Sequence, residues 1–250
     1  MSKGKAIRLA TVTLYFVARG FAETTPAQEL NTVTAKVEIR TLAAAASAEA
    51  QKTPRNSSEV VVWLTPLDRP ASPVDLPAKR PQLVQRNKSF EPHLLIVPVG
   101  STVDFPNRDP FFHNVFSLFD GKRFDLGLYE AGASNSVRFD RSGVSLLFCN
   151  IHPEMSAVVV ALNTPYYSVS DSAGNISIKN VPEGRYEVHA WYERSLPGDL
   201  KSVTRTVNIS SASHNLGPLI IPENAGFSLT HTNKYGQDYT PPPAQGYTHP

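Results

Sequence analysis

Residues 148–155 read Phe148-Cys149-Asn150-Ile151-His152-Pro153-Glu154-Met155. They stand between two apolar runs, residues 144–148 and 157–162. Each run has the length and bounding turn residues of a buried strand. The joint therefore places a thiol, an imidazole and a thioether within seven positions of a strand-to-strand connection. Upstream, Asn107-Arg108-Asp109-Pro110-Phe111-Phe112-His113-Asn114-Val115-Phe116 brings a second histidine between strands.

Working outward, short apolar runs separated by turn residues recur at 83–84, 94–97, 103–105, 115–118 and 137–139. Strands of this length and spacing predict an all-β sandwich or barrel. Residues 119–132 are aromatic and Gly-rich, and Asp120-Gly121 and Asp125-Leu126-Gly127 read as a turn and a loop. Earlier, Val33, Ala35, Val37 and Ile39 alternate with Thr34, Lys36, Glu38 and Arg40, the period of a half-buried strand. Val60-Val61-Val62-Trp63-Leu64 is a compact buried strand. Five prolines among residues 66–81 remove so many donors that 67–82 reads as a linker. Strand signals resume over 166–221, and residues 224–250 read as an extended or disordered Pro-rich tail.

Composition narrows the function. The 250 residues hold 21 prolines and 14 glycines, which leans against helix, and 18% are charged, which excludes a highly charged disordered chain. The formal charge is +2, but Lys3, Lys5, Arg8 and Arg19 lie in a leader-like stretch without acids. Without that stretch, 20 basic residues face 22 acidic ones, so no basic footprint for nucleic acid remains. Residues 1–22 have the outline of an export signal, a basic start followed by an apolar run and Gly20-Phe21-Ala22. Elsewhere no segment approaches ~18 consecutive apolar residues, so no integral membrane span is expected in the mature chain. The expected location is the periplasm, the cell surface or the medium. Cys149 is the sole cysteine, which excludes a disulfide within the chain and a Cys-based zinc ribbon.

Two His and one Cys with a weak axial Met form the blue-copper ligand set. Thiolate gives strong electronic coupling, imidazole suits both copper oxidation states, and the thioether favours Cu(I). His113, Cys149, His152 and Met155 supply each type, and Met155 is the only methionine besides Met1. His93, His189, His214, His231 and His249 are expected at the surface and not on metal.

On these residues the chain resembles the cupredoxins. His113-Asn114-Val115 is similar to the first-histidine segment of plastocyanin-like proteins, and Cys149-x-x-His152-x-x-Met155 to the short ligand loop of amicyanin. Phe90-x-Pro92, Pro98-x-Gly100-Ser101-Thr102-Val103 and Phe105-x-Asn107-x-Asp109 match the lead-in. The resemblance covers residues 83–162 and implies a Greek-key β-sandwich with one type 1 copper held by His113, Cys149, His152 and Met155. By the same analogy Asn114 pins the Cys149 loop with its amide; the plainer alternative is a turn-forming asparagine. Redox proteins are the implied partners, meeting the edge of His152, with Phe111, Phe112, Ile151 and Pro153 either a docking patch or core. Copper sequestration or delivery, and an adhesion module with a stabilising metal, are the alternatives to electron transport. The further His-rich elements of a multicopper oxidase are missing, so a non-enzyme is expected.

The segments 169–178 and Val181-Pro182-Glu183-Gly184-Arg185-Tyr186 resemble a second family, the carboxypeptidase-regulatory or transthyretin-like (prealbumin-like) β-sandwich. Its span, 163–223, holds too few strands. Strands within 30–66 supply the rest if the 83–162 unit is inserted; in tandem order they join the copper unit instead.

Overall fold

The computed structural model describes residues 29–41, 57–70, 72–118, 121–227 and 231–239. The expected leader at 1–22, Asp120 of the expected turn, His249 and the end of the tail lie outside the described residues. As expected, the chain is all-β. A single 3-10 turn, Asp199–Ser202, is the one helical element among the described residues.

Strand β1 (Leu30–Thr41) runs antiparallel to β13 (Asn175–Pro182) and parallel to β16 (Asn215–Glu223). Strand β2 (Val61–Pro66) lies between β12 (Tyr167–Val169) and β14 (Gly184–Trp191), and β14 pairs with β15 (Arg205–Ile209). These three- and four-stranded sheets share one buried cluster. The period-2 alternation of β1 sends Val33, Ala35 and Val37 into it, against Val62 and Leu64 of β2, Ile176 and Ile178, Tyr186 and Val188, and Leu219 and Ile221. The turn before β13 needs Gly174, whose φ is +82° and whose Cα faces the Val37 carbonyl so closely that a Cβ would lie 2.4 Å from that oxygen.

The intervening residues form a second core. A five-stranded sheet runs in the order β5 (Leu94–Pro98), β11 (Ser156–Leu162), β10 (Gly143–Phe148), β7 (His113–Ser117), β8 (Phe124–Tyr129). Opposite it, β6 (Thr102–Pro106) pairs with β9 (Ser134–Arg138); Gln82, just before the hairpin of β3 (Val84–Arg86) and β4 (Ser89–Glu91), bridges to Asp104 of β6, and Gln85 of β3 to Asn107. Leu83, Phe90, Val103, Phe105, Val115, Val137, Phe139 and Leu147 fill the space between.

Strand β11 is buried along its whole length, which explains its unbroken apolar run. Ala157, Val159 and Ala161 face this second core, whereas Val158, Val160 and Leu162 face Val61, Trp63 and Trp191 of the other sheet system. A fully buried Val or Leu stabilises by about 1.5–3 kcal/mol, so this third cluster couples the two sheet systems firmly.

One reading of the sequence changes. Asp125-Leu126-Gly127 is not a loop but part of β8, with His113 opposite Tyr129 and Phe116 opposite Asp125. Gly127 at φ +68° and a register shift between Asn114 and Phe116 break the alternation that marks a strand. At the start of the expected linker, Leu67 donates to the Arg185 carbonyl at 2.9 Å, and Asp68 pairs with the Arg185 guanidinium at 2.6 Å.

Candidate metal centre

Phe148, the last residue of β10, lies opposite Phe116 of β7. This register brings the loop after β10 beside the start of β7, where His113 stands. The loop closes on itself: the Cys149 amide donates to the Met155 carbonyl and the Met155 amide to the His152 carbonyl, each at 3.1 Å. His113 Nδ1 lies 3.6 Å and His152 Nδ1 3.5 Å from Cys149 Sγ. The three donor atoms fall within 4.8 Å of one another, the sole His/Cys/Asp/Glu group of its kind among the described residues. Met155, the last residue of the loop, is buried in the same cluster as Cys149. His113 and Cys149 are fully buried, and His152 is the member that reaches the surface.

Protonation suits a soft or borderline cation. Burial, with help from His113 and Lys88, pushes His152 below the ordinary imidazole value, which favours the neutral ring that ligation needs. Burial pushes the Cys149 thiol up, against the backbone amides of Asn114, Ile151 and His152 that face its sulfur. A cation entering here displaces the thiol proton.

Asp109 had no role assigned from sequence, and it has a direct one. Its Oδ2 lies 2.8 Å from His113 Nε2, the nitrogen turned away from Cys149. The carboxylate also accepts from the amides of Asn87 at 2.6 Å and Lys88 at 2.9 Å. Those two residues form the β3–β4 turn with φ of 54° and 57°, the left-handed pair a two-residue hairpin requires. Burial raises the Asp109 carboxyl, but the Lys88 amide, His113 and the Asn87 amide outweigh it and hold the group below its ordinary range. The His113 ring is thereby fixed with Nδ1 toward the thiol. The available signal was the placement of Asp109 four residues before His113.

Asn114 behaves differently from the expected loop pin. Its side-chain nitrogen donates to Asp125 Oδ1 at 2.6 Å, while its backbone amide faces the Cys149 sulfur. A carboxylate is the stronger acceptor, so the amide turns to β8 rather than to the loop. Phe111 and Phe112 are surface residues, 36% and 54% exposed, and Ile151 is 41% exposed; core is not their fate. The Phe111 ring packs 5.2 Å from His113 and 5.6 Å from His152.

Three histidines expected at the surface, His93, His189 and His231, are half-buried, and the His189 ring stacks 5.1 Å from that of Trp63. His93 bridges the Ser156 carbonyl at 3.1 Å and Glu193 at 2.8 Å. His231 packs its ring 4.2 Å from that of Phe148.

No protein-family model and no curated protein matches the chain. Among solved structures, a purple cupredoxin from Nitrosopumilus maritimus is similar at 26% identity over 33% of this chain and 99% of its own, with a TM-score of 0.31. An amicyanin variant is similar at 23% identity over 40% of this chain and 99% of its own, with a TM-score of 0.32. A copper-containing nitrite reductase from Thermus scotoductus is similar at 24% identity over 39% of this chain, which spans 27% of that longer chain, with a TM-score of 0.33. What the centre can do follows from its own side chains: two imidazoles and a thiol converge, His113 and Cys149 buried and His152 partly exposed.

Proposed function

We propose that the protein binds one copper ion in a type 1 site through His113, Cys149, His152 and Met155 and carries single electrons between redox proteins. The observation that carries this reading is the convergence of His113 Nδ1, Cys149 Sγ and His152 Nδ1 within 4.8 Å. That donor set fits copper, since thiolate plus two imidazoles over a thioether is the blue-copper combination. When bound, the metal supplies a one-electron couple. The protein holds the ligands: Asp109 orients His113, and the short loop between β10 and β11 holds Cys149 and His152. A rigid, buried donor set resists rearrangement when the charge of the ion changes. His152, flanked by exposed Phe111, Phe112, Ile151 and Pro153, is the electron port and docking patch. Burial of three of the four donors favours retention of the ion over its delivery to another protein.

The rest of the reading belongs to the same proposal. Residues 83–162 form a cupredoxin-type unit inserted into a prealbumin-like β-sandwich made by strands of 30–66 and 163–223. Pairing of β1 with β13 and β16, and of β2 with β12 and β14, supports insertion over tandem order. Export by the 1–22 leader places the carrier in the periplasm or at the cell surface, without catalysis of its own.

Voltammetry of the copper-loaded protein tests the carrier role. A reversible one-electron wave with copper retained over repeated cycles is expected. Loss of the ion to a soft chelator on each reduction would point to delivery instead.

A further inference from the structure

The described residues after β16 are held at two places. It leaves the sheet at Glu223, where the Asn224 amide donates to the Arg194 carbonyl at 2.8 Å and the Arg194 guanidinium stacks over Phe227. Residues 231–239 then lie on the loop that carries Cys149. The Lys234 amide donates to Asn150 Oδ1 at 2.9 Å, and Lys234 Nζ pairs with Asp125 Oδ2 at 2.7 Å. The Tyr239 hydroxyl donates to the carbonyl of Cys149 itself at 2.7 Å. His231 fills the space between, packed on Phe148 and Phe116 and meeting the Tyr239 ring edge-on. The tail folds its own turn to reach these points, with the Asn233 side chain accepting from the amides of Tyr235 and Gln237.

We propose that residues 231–239 act as a strap that fixes the Cys149–Asn150 main chain, with Lys234 and Tyr239 as positioning residues. Three of its contacts fall on Cys149, Asn150 and Phe148, and a fourth on Asp125, which also holds Asn114 beside His113. Among the described residues the strap packs on the Phe148–Phe116 flank of the loop, while Phe111 and His152 keep exposed surface. The consequence for copper rests on the reading above; the clamp on the loop does not.

Amide hydrogen exchange in the metal-free full-length protein tests it. The Cys149 and Met155 amides, whose bonds close the loop, are the reporters. Removing one loop contact by Tyr239→Phe is expected to speed their exchange about fivefold, the worth of one hydrogen bond, with the amides of β1 and β11 unchanged. A chain ending at Phe227 is expected to raise that to at least about tenfold, and Lys234→Arg to behave like the parent. Unchanged Cys149 and Met155 exchange in both Tyr239→Phe and the shortened chain overturns the strap. Equal acceleration across all strands overturns it too, since the tail then acts on global stability. If exchange responds as expected but the parent binds no copper, the strap stands and the copper reading falls.

Discussion

Asp109→Asn isolates the part of the centre that holds His113. The carboxylate is 6% exposed at its side chain and accepts three donors, His113 Nε2 at 2.8 Å and the amides of Asn87 and Lys88 at 2.6 and 2.9 Å. Asparagine keeps the shape but only one acceptor oxygen, and its NH2 group must face at least one of those donors. Hydrogen bonds to a charged group are worth about 1.5–3 kcal/mol, and a buried donor left without a partner costs about 1–3 kcal/mol. Partial relaxation of the exposed Lys88 side of the turn returns some of this, so the net loss is set at about 2–4 kcal/mol. Left-handed Asn87 and Lys88 also lose the acceptor that compensates their strain. Urea unfolding of the metal-free protein at neutral pH measures this loss. Chelator competition measures the second consequence, a drop of about 10–100-fold in copper affinity as the His113 ring loses its orientation. Metal-free stability within about 0.5 kcal/mol of the parent, with unchanged copper affinity, would refute the role given to Asp109.

Three further outcomes are expected. Glu193 raises the His93 pKa against the burial that lowers it, so the pair stabilises the fold below the ordinary 6.5 and fades as pH rises through the raised value. His93→Ala is therefore expected to cost more at pH 6 than at pH 8.5, by about 1 kcal/mol or less for a partly exposed pair, read from denaturant midpoints. Gly174→Ala places a Cβ 2.4 Å from the Val37 carbonyl at φ +82°, and a loss of about 2 kcal/mol or more in thermal or urea unfolding is expected. Met155→Leu nearly conserves volume and is expected to cost less than about 1.5 kcal/mol without metal. In the copper-loaded form it is expected to shift the reduction potential and the visible spectrum, as loss of an axial thioether does.

The cluster of His113, Cys149 and His152 was legible in sequence because most of its pattern is local. Cys149, His152 and Met155 share one loop, and rare residue types at matched spacing stand out from apolar strands. The continuous run of β11 and the alternation of β1 were legible for the same reason, since period and burial are written along a single segment. What stayed hidden depends on contacts between distant segments. Asp109 gains its role only when the β3–β4 turn folds over it. β8 lost its period to Gly127 and a bulge. His231, Lys234 and Tyr239 sit in a polar stretch without periodicity and find Asn150 and Cys149 across 84 and 90 residues. Such a stretch reads as tail because its partners, not its own pattern, give it order.

The absorption and electron paramagnetic resonance spectra of the protein loaded with one Cu(II), parent beside Cys149→Ser, test the central claim most directly. Coordination by the Cys149 thiolate predicts an intense visible charge-transfer band and a compressed copper hyperfine splitting, both absent in a folded Cys149→Ser protein. A colourless parent with the resonance of ordinary tetragonal Cu(II), the same as Cys149→Ser, would contradict it.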